Sequence, residues 1–138
     1  MRTYNIVDIP SKMEKFYGKG TMLHPSIDSV EEIIQKIPKG YVATIDTITK
    51  QLSKDYATDV TCPMRTGNII KKISERYTKE SIDSQLPFWR VIRKDKKVIK
   101  SKNYEFSAAL LEDEGFTLIF GKSGAIQVDV DPSKMLVL

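Results

Sequence analysis

The stretch "TIDTITKQLSKDYATDVTCPMRTGNIIKKISERY", from Thr44 to Tyr77, contains two helical patterns separated by a short polar break. Thr44 stands where an N-cap belongs, and Asp46 lies in the first turn, where the helix dipole favours an anion. Ile45, Ile48 and Leu52 then recur on one face, which predicts a helix from Thr44 to about Tyr56. Thr58, Asp59 and Thr61 break the pattern. Pro63 starts a second helix, because a first-turn amide has no intrahelical acceptor to lose. Ile69, Ile70, Ile73 and Tyr77 supply its apolar side; Arg65, Lys71, Lys72, Arg76 and Lys79 supply the other. Two helices joined by a short turn, the second one cationic, form a helix-turn-helix unit.

Before this unit, Ser29 and Glu32 have the spacing of a capping box, followed by an apolar stripe of Val30, Ile33, Ile34 and Ile37. Pro38 and Gly40 end that helix. Arg2–Pro10 reads as a short strand, and Gly18, Gly20 and Pro25 make the segment after it a loop. After the unit, Trp89–Ile92 and Val98–Ile99 flank the polar run Arg93–Lys97, the pattern of a hairpin or wing. A short helix is expected from Ser107 to Glu114, stopped by Gly115. Thr117–Phe120 and Ala125–Val130, separated by Gly121–Gly124, predict a terminal hairpin.

Charge follows the same division. The chain has 138 residues and a net charge of +4. Residues 1–64 sum to 0, residues 65–102 to +8 and residues 103–138 to −4. A middle third this basic attracts polyanions. The single cysteine, Cys62, excludes an intrachain disulfide and a multi-cysteine zinc site. No apolar run approaches the ~20 residues of a membrane span. The polar start, Met1 to Asp8, does not read as a signal peptide, so the expected location is the cytoplasm, on the nucleoid in a prokaryote.

Four segments, in order, carry a resemblance. "IPKGYVATIDTITKQL" (Ile37 to Leu52) resembles the opening of the DNA-binding domain of O6-alkylguanine-DNA alkyltransferases and alkyltransferase-like proteins. "MRTGNIIKKI" (Met64 to Ile73) is similar to that family's recognition helix with its RAVG start. "PFWRVIRKDKKV" (Pro87 to Val98) resembles the PCHRV segment and the wing after it, and "LLEDEG" (Leu110 to Gly115) the close of the domain. The resemblance spans residues 27 to 116, leaving 1–26 as an N-terminal extension and 117–138 as a C-terminal hairpin extension.

It implies an α+β winged helix-turn-helix with short β-hairpin additions. In that family the helix enters the minor groove, an arginine enters the base stack and a damaged guanine rotates into a pocket. Alkyltransferases then move the alkyl group irreversibly onto a cysteine. Alkyltransferase-like proteins lack the cysteine, bind the lesion and recruit other repair factors. The resemblance places the inserted arginine at Arg65, and the glycine of the recognition helix at Asn68. Phosphate contacts fall to Lys71, Lys72, Arg76, Arg93, Lys94, Lys96 and Lys97, while Arg90 either meets a phosphate or holds a backbone turn. Ile45 stands in the position of a pocket tyrosine, and Ser74 in that of an asparagine.

Alkyl transfer needs a thiolate and a proton acceptor beside it. The resemblance puts Phe88 and Trp89 at those two positions. Phenylalanine has no nucleophilic atom, and an indole donates a hydrogen bond but accepts no proton. The pair either plugs the pocket or offers a stacking surface. Because the family's Glu–His relation cannot form with Trp89, Glu114 is expected on the helix surface or as a cap.

The leading expectation is a non-enzymatic duplex-DNA-binding protein acting in repair or alkylation-damage sensing, with no cofactor or metal. Its expected partners are double-stranded DNA, including O6-alkylguanine duplexes, a repair protein, and a second copy docked through the C-terminal hairpin. Two other readings stay open: a protein-interaction domain that has lost DNA binding, and an alkyltransferase with its nucleophile displaced to Cys62.

Overall fold

The computed structural model describes residues 4–76, 86–100 and 104–136. Tyr77 and Lys79, named above, lie outside the described residues. Strand β1 (Asn5–Asp8) is followed by a 3-10 turn, Ser11–Met13, and a one-turn helix α1 (Glu14–Tyr17). The chain then returns as β2 (Thr21–His24), antiparallel to β1 with Asp8 opposite Thr21. This second strand replaces the loop expected after Gly20. Its sequence shows no alternation because it is buried on both faces: Met22 packs with Ile9 and Cys62, and Leu23 enters the main core. Gly20 is required here, with φ 149° and no room for a Cβ beside the Asp59 carboxylate. That carboxylate accepts the Thr21 amide at 2.8 Å.

Helix α2 (Ile27–Ile34) starts earlier than the Ser29–Glu32 pattern suggests. Its cap is Ser26, whose hydroxyl accepts the Ser29 amide at 3.2 Å, and Ser29 hydrogen-bonds back to the Ser26 carbonyl at 2.8 Å. Serine fits both positions by sequence, but Ile27 must be helical to pack against the core. The expected stripe of Val30, Ile33, Ile34 and Ile37 is fully buried. Strand β3 (Ala43–Thr44) leads into α3 (Ile45–Tyr56), capped by Thr44 through the Thr47 amide at 3.2 Å. Ala57, left-handed at φ 54°, ends α3, and the Thr58 amide closes onto Ser53 O at 3.0 Å.

Strand β4 (Val60–Thr61) runs parallel to β2, and α4 (Pro63–Glu75) follows at once with Pro63 at its first position. The Cys62 amide donates to Leu23 O at 2.9 Å, which fastens the start of α4 to the N-terminal sheet. Ile48 and Leu52 of α3 and Ile70 and Ile73 of α4 bury completely between the helices, each contributing about 1.5–3 kcal/mol by removal from water.

The segment expected as strand Trp89–Ile92 divides. Phe88–Arg90 form a 3-10 turn after Pro87, and only β5 (Val91–Ile92) is extended, paired parallel with β3. The wing itself forms: Ile92 bridges Val98, the Arg93 amide donates to Lys97 O at 2.9 Å, and Lys96 turns the tip at φ 68°. Helix α5 (Tyr104–Asp113) includes the three residues before Ser107 and is followed by Gly115, φ 99°. The terminal hairpin pairs β6 (Thr117–Phe120) with β7 (Ile126–Asp129).

The free edge of β7 meets the wing. Val98 donates to Ile126 O at 2.9 Å and Val128 to Lys96 O at 2.8 Å, so wing and hairpin form one continuous surface. Ile126, Val128 and Val130 point into the same core as α2, α3 and α4. Beyond a 3-10 turn at Pro132–Lys134, Val42 donates to Lys134 O at 3.0 Å and accepts from Leu136 at 2.8 Å. No helix among the described residues is long and apolar enough to cross a membrane.

Candidate nucleic-acid interface

Helix α4 is two-sided. Thr66, Ile70, Ile73 and Ser74 are buried, while Arg65, Asn68, Lys71 and Lys72 are exposed. Arg65, Asn68 and Lys72 recur at i, i+3 and i+7, so they share one solvent stripe. Thr66 Oγ1 donates to Cys62 O at 2.9 Å, and Ser74 Oγ to Lys71 O at 2.7 Å, which turns both hydroxyls back onto the helix. Arg76, at the C-terminal end, donates to Glu31 of α2 at 2.7 Å. That pair ties the helix end to its neighbour, with the Arg76 side chain still 48% exposed.

At the wing, Arg93 and Lys94 are exposed, and Lys96 and Lys97 are half-buried. Asp95 sits at the tip, accepting the Lys97 amide at 3.2 Å and lying 3.2 Å from Arg93 and 4.0 Å from Lys97. One carboxylate thus orders the tip and partly offsets its cations. Such exposed pairs contribute little to stability, so an incoming phosphate can compete for Arg93 and Lys97.

His24 ends β2. Burial, and then the positive charge of Arg65, lower its pKa below the ordinary imidazole value. This places the end of the N-terminal hairpin beside the first turn of α4, where the sequence suggested a loop. Cys62 is buried with Ile9 and Met22 on that side of the molecule, within a small apolar cluster. Among the described residues, no group of three or more His, Cys, Asp or Glu side chains could hold a metal.

The turn carrying Phe88 and Trp89 packs against α4 and α5. Phe88 is 2% exposed and Trp89 8%, and their rings meet edge to face with centroids 5.3 Å apart. Both fill core volume, which closes the alternative in which they offer a stacking surface. Ile45 is half-buried, with its Cδ1 4.0 Å from the point where a Cβ on Gly67 would lie. It packs α3 on α4.

One expectation is extended here and another changes. Arg90 holds backbone, its Nη1 donating to Ile37 O at 2.8 Å, and beyond that expectation it pairs with Glu114: its Nε donates to Oε1 at 3.0 Å and its Nη2 to Oε2 at 2.8 Å. Glu114 is not on the surface. Its side chain is 8% exposed and also accepts the Trp89 indole N–H at 2.8 Å. Trp89 can donate to a glutamate, which was the one capacity an indole retained. Burial pushes the Glu114 carboxyl up, but hydrogen bonds from Arg90 and Trp89, the Arg90 charge and the Gly40 amide outweigh it and hold the pKa below the ordinary carboxylate value. Sequence reading missed this cluster because its members are 24 residues apart; the signal was present only as an acid, an indole and a guanidinium with nothing local to pair with.

No protein-family model matches the chain, and no curated protein does. Solved structures do. The Schizosaccharomyces pombe (S. pombe) protein Atl1, in complex with damaged DNA containing O6-carboxymethylguanine, superposes with a TM-score of 0.61 at 18% identity, covering 81% of this chain and 94% of that one. A second structure, S. pombe ATL in complex with DNA, gives 0.59 at the same identity and coverage. The chain therefore has the winged helix-turn-helix fold of these two structures.

Proposed function

We propose that this protein binds duplex DNA without catalysing a reaction on it, and that it senses alkylation damage. The observation that carries the reading is α4: Arg65, Asn68, Lys71 and Lys72 stand outward over a fully buried stripe, in a fold that in S. pombe Atl1 holds damaged DNA. Lysines 71 and 72, with Arg93, Lys94, Lys96 and Lys97 of the wing, hold phosphates. Arg65, at the open end of the helix, fills the base stack where a damaged guanine leaves it. Catalysis by alkyl transfer lacks its parts: Phe88 and Trp89 are buried aromatic rings without a nucleophile or a proton acceptor at the positions the resemblance gives to cysteine and histidine, and Cys62 lies in a separate apolar cluster.

The test is binding to matched plain and O6-alkylguanine duplexes across a salt series, repeated with Arg65→Ala. Affinity should fall about 10³-fold between 50 and 200 mM salt for some six phosphate contacts. Arg65→Ala should weaken the alkylated duplex about tenfold and erase its advantage over the plain one. Absence of duplex binding at low salt sinks the reading, and equal affinity for both duplexes removes damage sensing from it.

A second reading concerns assembly. Among the described residues no strand pairs with the outer edge of β6, which carries exposed Ile119 and Phe120, the latter 69% exposed. An apolar free edge invites another strand. The occupant proposed is β6 of a second copy, and a repair protein is the competing partner. Light scattering at tens of micromolar should find a dimer that Phe120→Lys splits; a monomer at every concentration refutes self-pairing.

A further inference from the structure

The segment "SKMEKFYGKG", Ser11 to Gly20, contains two adjacent aromatic residues that the fold does not bury. Phe16 is 71% exposed, and Tyr17 is exposed beside it with ring centroids 6.4 Å apart. No residue of α1 is buried. Lys12, Lys15 and Lys19 are all exposed in the same segment, and Lys15 Nζ stands 5.0 Å from the Phe16 centroid. Glu14 is the single acid in the segment, so the surface is net cationic.

This surface adjoins the start of α4. Tyr17 and Pro63 line one open groove of about 390 Å³, together with Lys50, Asp46 and Asp59. The two carboxylates are already engaged, Asp59 by the Thr21 amide and hydroxyl and Asp46 by Lys50 at 3.1 Å. The Cys62–Leu23 hydrogen bond fixes the N-terminal hairpin to the first turn of α4.

We propose that Phe16 and Tyr17, with Lys12, Lys15 and Lys19, form a second nucleic-acid site that stacks an unpaired nucleotide beside the duplex held by α4. The placement of the duplex rests on the function proposed above; the stacking site does not. Aromatic faces take any base, because every base has a π-face, and neighbouring lysines take its phosphate. A paired base has both faces covered by the stack, so the nucleotide these rings accept comes from a single-stranded end or gap. Lys15 already shows that the Phe16 ring attracts a cation in place. A single helical turn with two rings has too little apolar area for an interfacial membrane anchor, which normally spans several turns.

The experiment uses the whole protein and three labelled probes: a blunt duplex, the same duplex with a five-nucleotide thymidine overhang, and oligothymidine alone. The overhang should improve affinity about tenfold over the blunt duplex. Phe16→Ala/Tyr17→Ala should abolish that gain and leave blunt-duplex affinity within about twofold, with circular dichroism confirming an unchanged fold. Lys12→Gln/Lys15→Gln/Lys19→Gln should lower the salt slope on the overhang probe by about two to three units. If the overhang gives no gain, or the aromatic double variant keeps it, the stacking site is overturned while duplex binding stands. If blunt duplex is not bound but oligothymidine is, and the double variant loses it, the site stands and the duplex reading falls. Binding to phosphatidylcholine–phosphatidylserine vesicles with none to oligothymidine also overturns it.

Discussion

Glu114→Leu is expected to destabilise the protein by about 3–5 kcal/mol, measured by urea unfolding at pH 7, because it leaves the Arg90 guanidinium buried without its counter-charge. The Trp89 indole loses its acceptor as well. The double variant Arg90→Met/Glu114→Leu should recover most of the loss, since removing both ions together removes the desolvation they suffer. A single-variant cost below about 1 kcal/mol would falsify the view that the cluster is desolvated. Acid gives an independent reading. The folded pKa of Glu114 lies below its ordinary value of 4.5, so its contribution is complete above that pH and is lost as pH falls through the folded value. Wild type should therefore lose its advantage over Glu114→Gln below about pH 4.5, and not on the alkaline side.

Phe88→Ala is the second large effect. The ring is enclosed by core residues and in edge contact with Trp89, so its removal costs transfer free energy and leaves a cavity, about 3–5 kcal/mol in all. The thermal midpoint should drop by more than about 10 °C. Plain-duplex affinity, measured well below that midpoint, should stay within about twofold, since the outward stripe of α4 is untouched. The opposite pattern, unchanged stability with weakened DNA binding, would show that Phe88 meets a base.

Much of the fold was legible because helices announce themselves over several turns. The stripes of α2, α3 and α4, the cap at Thr44 and the first-turn proline Pro63 could be read directly, as could the hairpin around Gly124. What could not be read shares a physical cause: it depends on partners far along the chain. Strands β3, β4 and β5 have two residues each, too few for any period, and exist because their neighbours present an edge. Met22 and Leu23 look like a loop because each is buried on a different side. At the site, the exposed side of α4 follows from charge against apolar spacing, but Arg76 and Arg90 could not be separated from Lys71 and Lys72 by type. Glu31 and Glu114 distinguish them, and both lie on other elements.

Val42 sits between two backbone hydrogen bonds from a segment about two-thirds of the chain away, Lys134 to Leu136. Closing so long a loop is entropically the most demanding step in the topology and rewards nothing until both ends are placed. The helices around Ile48 and Ile70 involve nearer neighbours and can assemble before it. The final residues thus act as a clasp on the finished interior, and the β6–β7 hairpin they follow is fixed at both of its ends, by the wing and by Val42. An excised 27–116 fragment would begin life with that clasp open and with vacant space where Ile126, Val128 and Val130 belong.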